Sequence, residues 1–557
     1  MPKHVLGISA FYHDAAACLV RDGEIVAAVE EERLTRVKHD RRFPELAIAA
    51  CLAAGGIGAA ELDAVVFYEK TFPKLERQLI SWIGAFPRSF SSFVGSMSRY
   101  LDGRIDMRRW IERKLGTKGE IWFSEHHLSH AAFAFYSSPF DAAHVLVVDG
   151  VGEWATTSLW HADRSGIEPR REIHFPDSLG LFYSIITAHL GFRVNEDEYK
   201  VMGLAAYGRD RFAAEMAELL PFDDDGAFRL ETRLIDLAGK TSMSTPALAR
   251  LLGPPRVRGE KVETRHEDVA RSAQARLEQA LERIAATLPA GEPLCLSGGV
   301  ALNGAANARL SASRPIHVPF APGDSGGAIG AALLGARALG SARPIAPPSP
   351  YLGPAYEPEE MRAAAQEVGL RCTPLGERGG LDFVADELAK EHIVGFFEGK
   401  SEFGPRALGH RSIVADPRPA RMRDVINDRV KHREAFRPFA PAILEERVGE
   451  YFELSAPVPW MTQIYPVRPE VRERIAAVVH VDGTGRLQTV AQASAPRFHA
   501  LIEAFARKTG VPVVLNTSFN VAGEPIVCSP IDACRCFVSA GLDGMVLGDL
   551  WVESGSR

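Results

Sequence analysis

Val5-Leu6-Gly7-Ile8-Ser9 and Val145-Leu146-Val147-Val148-Asp149 are two apolar runs 140 positions apart, and each passes through a polar loop into a second apolar run, Ala15 to Val20 in the first copy and Ala155 to Trp160 in the second. In the first copy the second run turns at Arg21-Asp22-Gly23-Glu24 into Ile25 to Val29, an Asp-Gly hairpin signature. Two such hairpins, each followed by helical stretches, predict a duplicated α/β domain with a cleft between its halves. A chain of 557 residues has room for more than one core, and 46% hydrophobic with 24% charged residues is ordinary for a soluble globular protein.

A break in composition follows at Gly340-Ser341-Ala342-Arg343-Pro344-Ile345-Ala346-Pro347-Pro348-Ser349-Pro350. Proline at this density can continue neither a helix nor a central strand, so the chain runs extended here. The expected division is a first domain over 1–343, a linker over 344–355 and a second α/β domain over 356–557, with Ile393 to Phe397 and Pro512 to Leu515 among the apolar runs of the second. Ala47 to Ala60, the mildest candidate for a membrane span, is interrupted by Gly55, Gly56 and Gly58 and falls short of the ~20 residues a bilayer needs, so it reads as a core helix and its cap. The start, MPKHVLGISAF, has no secretory pattern. Seven dispersed cysteines make a poor disulfide framework and suit a reducing compartment. A cytoplasmic protein with no membrane partner is expected. Lys plus Arg number 64 against 71 Asp plus Glu, which gives no chain-wide basic field and argues against a nucleic-acid partner.

His126-His127-Leu128-Ser129-His130 is the sharpest local feature of the first domain. Four residues apart on a helix, His126 and His130 share a face and can grip one ion, while His127 points elsewhere. Asp149 closes the apolar run Val145 to Val148, where a carboxylate sits at a strand end. Two imidazoles and a carboxylate leave coordination positions open, which suits a catalytic Fe(II) or Zn(II). Two histidines on a helix surface are the plain alternative, and the spacing alone does not separate them.

Glycine-rich loops follow. Leu296-Ser297-Gly298-Gly299-Val300-Ala301-Leu302-Asn303 and Pro322-Gly323-Asp324-Ser325-Gly326-Gly327-Ala328 each lead into a predicted helix, and Asp149-Gly150-Val151-Gly152-Glu153 is a third loop of this kind. Such turns bring backbone N–H groups and a helix dipole close to a phosphate, although simple turns look the same in sequence. Gly399-Lys400-Ser401 is a decoy, because Gly395 stands one position too close for a Walker loop.

The second domain holds cationic segments interleaved with Gly, Pro, Phe and Asn rather than with surface-helix residues. In Gly404 to Ser412, Pro405 at a first helical position would put Arg406 and His410 on one helix face. Val430 to Phe439 adds Lys431 and Arg437, Asp482 to Arg486 adds Arg486, and Leu515 to Asn520 adds small hydrogen-bonding side chains including Ser518. Converging guanidinium forks suit a small dianion together with a nucleotide. Arg108 to Lys114, by contrast, reads as an amphipathic surface helix.

Phe11-Tyr12-His13-Asp14-Ala15, Glu30 to Arg33, Val37-Lys38-His39-Asp40, His126 to His130, Asn195 to Gly203, Ser297 to Asn303, Gly404 to Arg411, Lys431 to Phe439 and Asn516 to Asn520 together resemble the NodU/CmcH-type O-carbamoyltransferases over essentially the full chain. The resemblance implies a duplicated actin/hexokinase-like (ASKHA) N-terminal domain and a YrdC-like α/β C-terminal domain. It implies that carbamoyl phosphate and ATP give a carbamoyl-adenylate in the second domain, with Arg406, Lys431, Arg437, Arg486 and Ser518 as the activating set. It implies transfer to a hydroxylated small-molecule acceptor in the first domain. There Fe(II), ahead of Zn or Mn, is held by His126, His130, Asp149 and Asp324. Gly150, Gly152, Glu196, Lys200, Gly298, Gly299 and Asn303 are the implied nucleotide contacts, with or without Mg. His13 is the candidate general base, with Asp14 or Lys38 orienting it or neutralising charge. Loops over 72–104 and 221–260 are candidates for the acceptor pocket, and a homodimer is compatible with this reading. An ASKHA-type kinase or ATPase, or carbamoyl transfer to a macromolecule, are the alternatives.

Overall fold

The structure is a computed structural model that describes residues 2–101, 106–237, 243–341, 348–434, 436–454 and 456–553. Its contacts divide the chain into two compact units, one of Met1–Ser9, Ala16–Val26 and Gly55–Pro348, the other of Ala10–Ala15, Ala27–Ala54 and Ser349–Arg557.

The first unit is built on two sheets. Strands β1 (His4–Ser9), β2 (Ala16–Arg21), β3 (Glu24–Glu30, whose residues 27–30 belong to the second unit), β4 (Ala64–Phe67) and β5 (Glu120–Phe123) form the first, and β6 (Ala143–Val148), β7 (Ala155–Ala162), β8 (Ile167–His174), β9 (Leu294–Ser297) and β10 (Ile316–His317) the second. Their orders are β3-β2-β1-β4-β5 and β8-β7-β6-β9-β10. The correspondence extends to register: Val5 faces Val20 antiparallel and Ala64 parallel, while Val145 faces Trp160 antiparallel and Cys295 parallel. Three meandering strands followed by two crossover strands, repeated, make the duplicated actin/hexokinase-like arrangement, and the sequence echo marks its two central strands.

Two helices lie over these sheets. One, His126–Tyr136, is buried at every position except Leu128. The other, Asp324–Ala338, is rich in Gly and Ala because it packs backbone against backbone. A Cβ on Gly330 would overlap the Ser129 carbonyl oxygen, so only glycine allows the two helices to approach this closely.

The second unit contains β11 (Arg371–Pro374), β12 (Val394–Phe397), β13 (Arg411–Ala415), β14 (Ala440–Leu444), β15 (Ile464–Pro466), β16 (Thr484–Arg486), β17 (Gln488–Val490), β18 (Val513–Ser518), β19 (Gly544–Leu547) and β20 (Leu550–Glu553). Eight of them form a mixed sheet in the order β11-β20-β19-β12-β13-β18-β14-β17, and β15 pairs with β16 in a short ribbon. Helices Leu381–Ala389 and Pro496–Thr509 pack together, contributing Val384, Leu388, Phe498, Leu501 and Phe505 to one core with Phe396, Ile413 and Val514.

The expected linker falls partly on 344–347, outside the described residues, and the chain passes into the second unit at Ser349. Residues 10–15 and 27–54, expected within the 1–343 domain, pack with the C-terminal residues instead. The reason is a set of direct bonds: Ala28 N–H donates to the Leu352 carbonyl, Arg33 Nη2 to the Gly404 carbonyl, and Arg36 to the carbonyls of Pro525 and Ile526.

Two local expectations are corrected. Residues 404–410 form a loop rather than a helix, so Arg406 and His410 share no helix face. Gly404 and Gly409 have φ of 109° and 114°, outside any helix, and Glu402 Oε1 organises the loop by accepting the N–H groups of Leu408, His410 and Arg411. The described residues within 72–104 are mostly helical, in Thr71–Gly84 and Phe90–Leu101, while 102–104 and, in the other candidate loop, 238–242 lie outside the described residues. Helix Glu45–Gly55 and surface helix Met107–Leu115 stand where expected, all seven cysteines are free thiols, and no helix among the described residues is long and apolar enough to cross a membrane.

Candidate active site

His126 and His130 open the first turns of their helix, and Glu153, not the preceding residue, serves that helix start: its carboxylate accepts the His126 N–H at 3.0 and 3.2 Å and the Lys70 N–H at 2.7 Å. Asp149 follows the last residue of β6, and Asp324 is the first residue of its helix. Three separate elements thus deliver four ligand-type side chains to one point. His126 Nε2 lies 3.1 Å from Asp149 Oδ2 and 3.7 Å from Asp324 Oδ1, and His130 Nε2 lies 3.4 and 3.5 Å from the same two oxygens. All four ligand atoms fall within 4.8 Å of one another.

The protonation of this cluster follows from its surroundings. Burial opposes a charge on His130, but the Asp149 and Asp324 carboxylates outweigh it and raise its pKa to about 9. That is a preference for a cation of about 3 kcal/mol over an ordinary imidazole. Burial likewise favours protonated Asp149, and the two histidines reverse it, holding the carboxyl well below its usual range. The cluster therefore demands positive charge at its centre. His130 Nε2 is buried and aimed at both carboxylates. Two imidazoles and two carboxylates are a donor set that fits a divalent transition metal such as Fe(II), Mn(II) or Zn(II). His127, as expected, points away: its Nδ1 lies 2.7 Å from Ser158 Oγ, and burial keeps the ring neutral.

The loops around the cluster are fitted to it. Gly298, with φ of 89°, lies against Val148, where a Cβ would overlap the carbonyl oxygen, and a Cβ on Gly152 would press on the His126 ring at 3.1 Å. Gly150 N–H donates to Asp149 Oδ1 at 2.7 Å, and Gly299 lies beside the same oxygen. Asn303 is buried and engaged: it caps helix Gly304–Ser311 through the Ala306 N–H and exchanges two hydrogen bonds with Gln274. Glu196 is exposed and paired with Arg193, and Lys200 pairs with Asp197 at 3.0 Å. The glycines thus gather at the cluster, while Asn303, Glu196 and Lys200 each satisfy a neighbour in the same unit.

In the second unit Lys431 and Ser518 come together. Lys431 Nζ donates to the Ser518 carbonyl at 2.5 Å, to the Asn520 carbonyl and Oδ1 at 2.9 Å each, and lies 3.4 Å from Ser518 Oγ. None of these four acceptors is a carboxylate. Burying an ammonium without a counter-ion costs several kcal/mol, which charge-assisted hydrogen bonds to neutral acceptors only partly offset. Burial, with Arg433 and Arg437 nearby, accordingly pushes the Lys431 pKa well below the usual ammonium value. Such a site gains by taking up an anion. Arg437 lies 3.7 Å from Glu434, Arg486 closes β16, and Arg406 stands on the loop after Gly404. Arg433 and Asn520 belong to this constellation although sequence reasoning singled out neither. Their signal was membership of the same short motifs.

A model described as "Carbamoyltransferase N-terminus" matches residues 4–333, and one described as "Carbamoyltransferase C-terminus" matches 385–554. The chain belongs to the carbamoyltransferase family. Among its relatives are nodulation protein NolNO of Sinorhizobium fredii, 39% identical over 98% of this chain and 79% of that protein, and an uncharacterized Synechocystis protein, sll1178, 43% identical over 98% and 95% respectively. Solved structures resemble it loosely: a 2-hydroxyglutaryl-CoA dehydratase component of Acidaminococcus fermentans has a TM-score of 0.34 at 14% identity over 60% of this chain and 98% of that one. HypF of T. kodakarensis has 0.32 at 14% over 61% and 48%.

His13 and Asp14, expected as a general base and its orienting partner, are also adjacent in space. Both lie in the second unit, with Lys38, on stretches 10–15 and 27–54. His13 Nδ1 is 2.9 Å from Asp14 Oδ2, so the orienting partner expected for His13 is in contact with it.

Proposed function

We propose that this carbamoyltransferase activates carbamoyl phosphate with ATP as carbamoyl-adenylate and passes the carbamoyl group to a hydroxyl of a small natural-product acceptor. Carbamoyl phosphate loses inorganic phosphate to water, and an oxygen of the resulting carbamate attacks the α-phosphorus of ATP as pyrophosphate leaves. The acceptor oxygen then attacks the carbamoyl carbon, and the C–O bond to AMP breaks with its electron pair staying on the phosphate. The observation that carries this reading is the chemical contrast between the two units: a buried ammonium held by neutral acceptors in one, and a buried bis-histidine, bis-aspartate cluster among glycine loops in the other.

Lys431, Arg437, Arg486, Arg406 and Ser518 are assigned to the activation step. Lys431 would bind phosphoryl oxygens and stabilise charge as it grows on them, a contribution of about 10²–10³ in rate for one well-placed donor. His126, His130, Asp149 and Asp324 would hold Fe(II), which when bound supplies Lewis acidity toward a phosphate oxygen. Gly150, Gly152, Gly298 and Gly299 are assigned to the nucleotide, and Gly152 and Gly299 keep Cβ atoms away from His126 and Asp149. His13 takes the proton of the acceptor hydroxyl, with Asp14 fixing its ring.

The test is incubation with Fe(II), ATP and isotope-labelled carbamoyl phosphate against a panel of hydroxylated metabolites, read by mass spectrometry. Gain of one labelled carbamoyl group, with AMP and pyrophosphate formed in step, is the expected result. ADP as the nucleotide product, with no label on any acceptor, would place the chain with kinases or ATPases instead.

A further inference from the structure

Asp14 stands between two imidazoles, and the proposed reaction uses only one of them. Its Oδ2 lies 2.9 Å from His13 Nδ1, and its Oδ1 lies 2.7 Å from His39 Nδ1. An ionised carboxylate only accepts, so both rings carry a proton on Nδ1, and in neutral His13 the lone pair is on Nε2. His39 is itself fixed: its backbone N–H donates to Glu32 Oε2 at 2.8 Å. Asp14 and His39 both hold left-handed backbone, with φ of 53° and 54°. Aspartate and histidine are among the residues that tolerate this region, but two contacting side chains both set there mark an arrangement enforced by its surroundings.

We propose that His39 is a positioning residue for carbamoyl transfer: it holds one oxygen of Asp14, which aims the other at His13 and presents His13 Nε2 to the acceptor hydroxyl. The inference rests on the reading of His13 as general base. In the transfer step the hydroxyl proton moves to His13 Nε2 as the acceptor oxygen bonds to the carbamoyl carbon, and the imidazolium so formed lies against the Asp14 carboxylate. Burial would favour a protonated Asp14, but the two histidines hold its carboxyl far below the usual range, so it stays an acceptor throughout. Other charged groups also face this pair. Glu30 and Glu32 add negative charge, Arg33 is bound to Glu30, and Lys38 opposes protonation of His39; against burial, Asp14 and Glu32 raise the His39 pKa. Without His39, Asp14 Oδ1 loses the hydrogen bond from the His39 ring, and the carboxylate is less firmly aimed at His13.

Two variants and two readouts test this. His39→Ala removes the donor, and His39→Asn restores an amide N–H near the Nδ1 position. His39→Ala should lower kcat for transfer about 30-fold, as expected for a misplaced general base, with the acceptor KM changed less than about threefold. His39→Asn should recover to within about fivefold of the parent. Nitrogen-15 NMR of the His13 ring should show a fixed Nδ1–H tautomer in the parent and in His39→Asn, and a tautomer mixture in His39→Ala. An unchanged His13 tautomer in His39→Ala, or a His39→Asn variant as slow as His39→Ala, would overturn the proposal. The NMR measurement needs no turnover, so a protein that transfers no carbamoyl group would sink the general-base reading while the tautomer still decides the positioning claim.

Discussion

Ser297 orients His130 from behind: its hydroxyl donates to the Pro322 carbonyl at 3.1 Å, so at 3.3 Å from His130 Nδ1 it can only accept the ring N–H. The proton is thereby fixed on Nδ1, and Nε2 faces Asp149 and Asp324 as a ligand. Removing an outer partner of this kind costs about 10–100-fold in metal affinity. Ser297→Ala should therefore bind ferrous iron about tenfold more weakly, measured by competition with a calibrated chelator, while circular dichroism stays unchanged. Equal affinity in the two proteins would mean that the ring is held by packing alone.

Gly298 keeps the loop after β9 close to β6. Its φ of 89° is costly for any L side chain, and a Cβ would overlap the Val148 carbonyl oxygen one residue before Asp149. Gly298→Ala should lower stability by about 2 kcal/mol or more, read as a drop in thermal midpoint, and weaken metal binding with it. An alanine variant as stable as the parent would show that the loop can withdraw from β6 without loss.

The two half-reactions should separate by mutation. Arg437→Ala and Lys431→Met remove cationic charge from the second unit, and carbamoyl-phosphate-dependent exchange of pyrophosphate into ATP should fall about 100-fold or more in each. His130→Ala should retain that exchange and lose carbamoyl transfer. Should Arg437→Ala and His130→Ala lose the same half-reaction, the assignment of Arg437 to activation and His130 to transfer is wrong.

What the sequence disclosed, and what it hid, follows physical lines. Spacing alone placed His126 and His130 on one helix face and Asp149 at a strand end, because period 3.6 and the end of an apolar run are local signals. Asp324 entered only through family resemblance, since nothing in a glycine loop says that it meets two histidines almost two hundred residues earlier. The duplicated sheets were legible in the echo of Val5 and Val145. The loop over 404–410 was not, because its course depends on Glu402 accepting three backbone N–H groups and on two glycines at positive φ, and Pro405 looks the same before a helix as in a bend. Residues 10–15 and 27–54 were assigned by sequence order, while the bonds from Arg33 and Arg36 that tie them to the second unit span some 370 to 490 residues.

Glu398 gives the second unit a pH dependence with a defined sign. It is buried, which pushes its pKa up to about 7; Arg497 and Arg411 only partly counter this, Glu402 and Asp549 oppose them, and His410 Nε2 lies 3.4 Å away. The folded chain holds this proton more tightly than the unfolded chain, whose value is near 4.5. The resulting stabilisation is full below about pH 4.5 and is lost as pH rises through about 7, a span of about 3 kcal/mol. Differential scanning calorimetry from pH 5 to 8 should show the parent losing stability more steeply than Glu398→Gln. Parallel curves would mean that Glu398 is ionised throughout.

Metal uptake should itself depend on pH, and the slope follows from His130. With no cation bound, the Asp149 and Asp324 carboxylates overcome burial and keep its proton until about pH 9. A metal ion must displace that proton, because Nε2 cannot donate to a metal while protonated. Between about pH 6.5 and 9 each pH unit should then raise the apparent affinity for Fe(II) or Zn(II) about tenfold, with one proton released per ion from this residue, and the slope should flatten above about 9. Chelator competition across that range, with proton release followed by calorimetry in buffers of different ionisation enthalpy, measures both quantities. In His130→Ala the slope should shrink by about one proton; an unchanged slope would assign the displaced proton to another group.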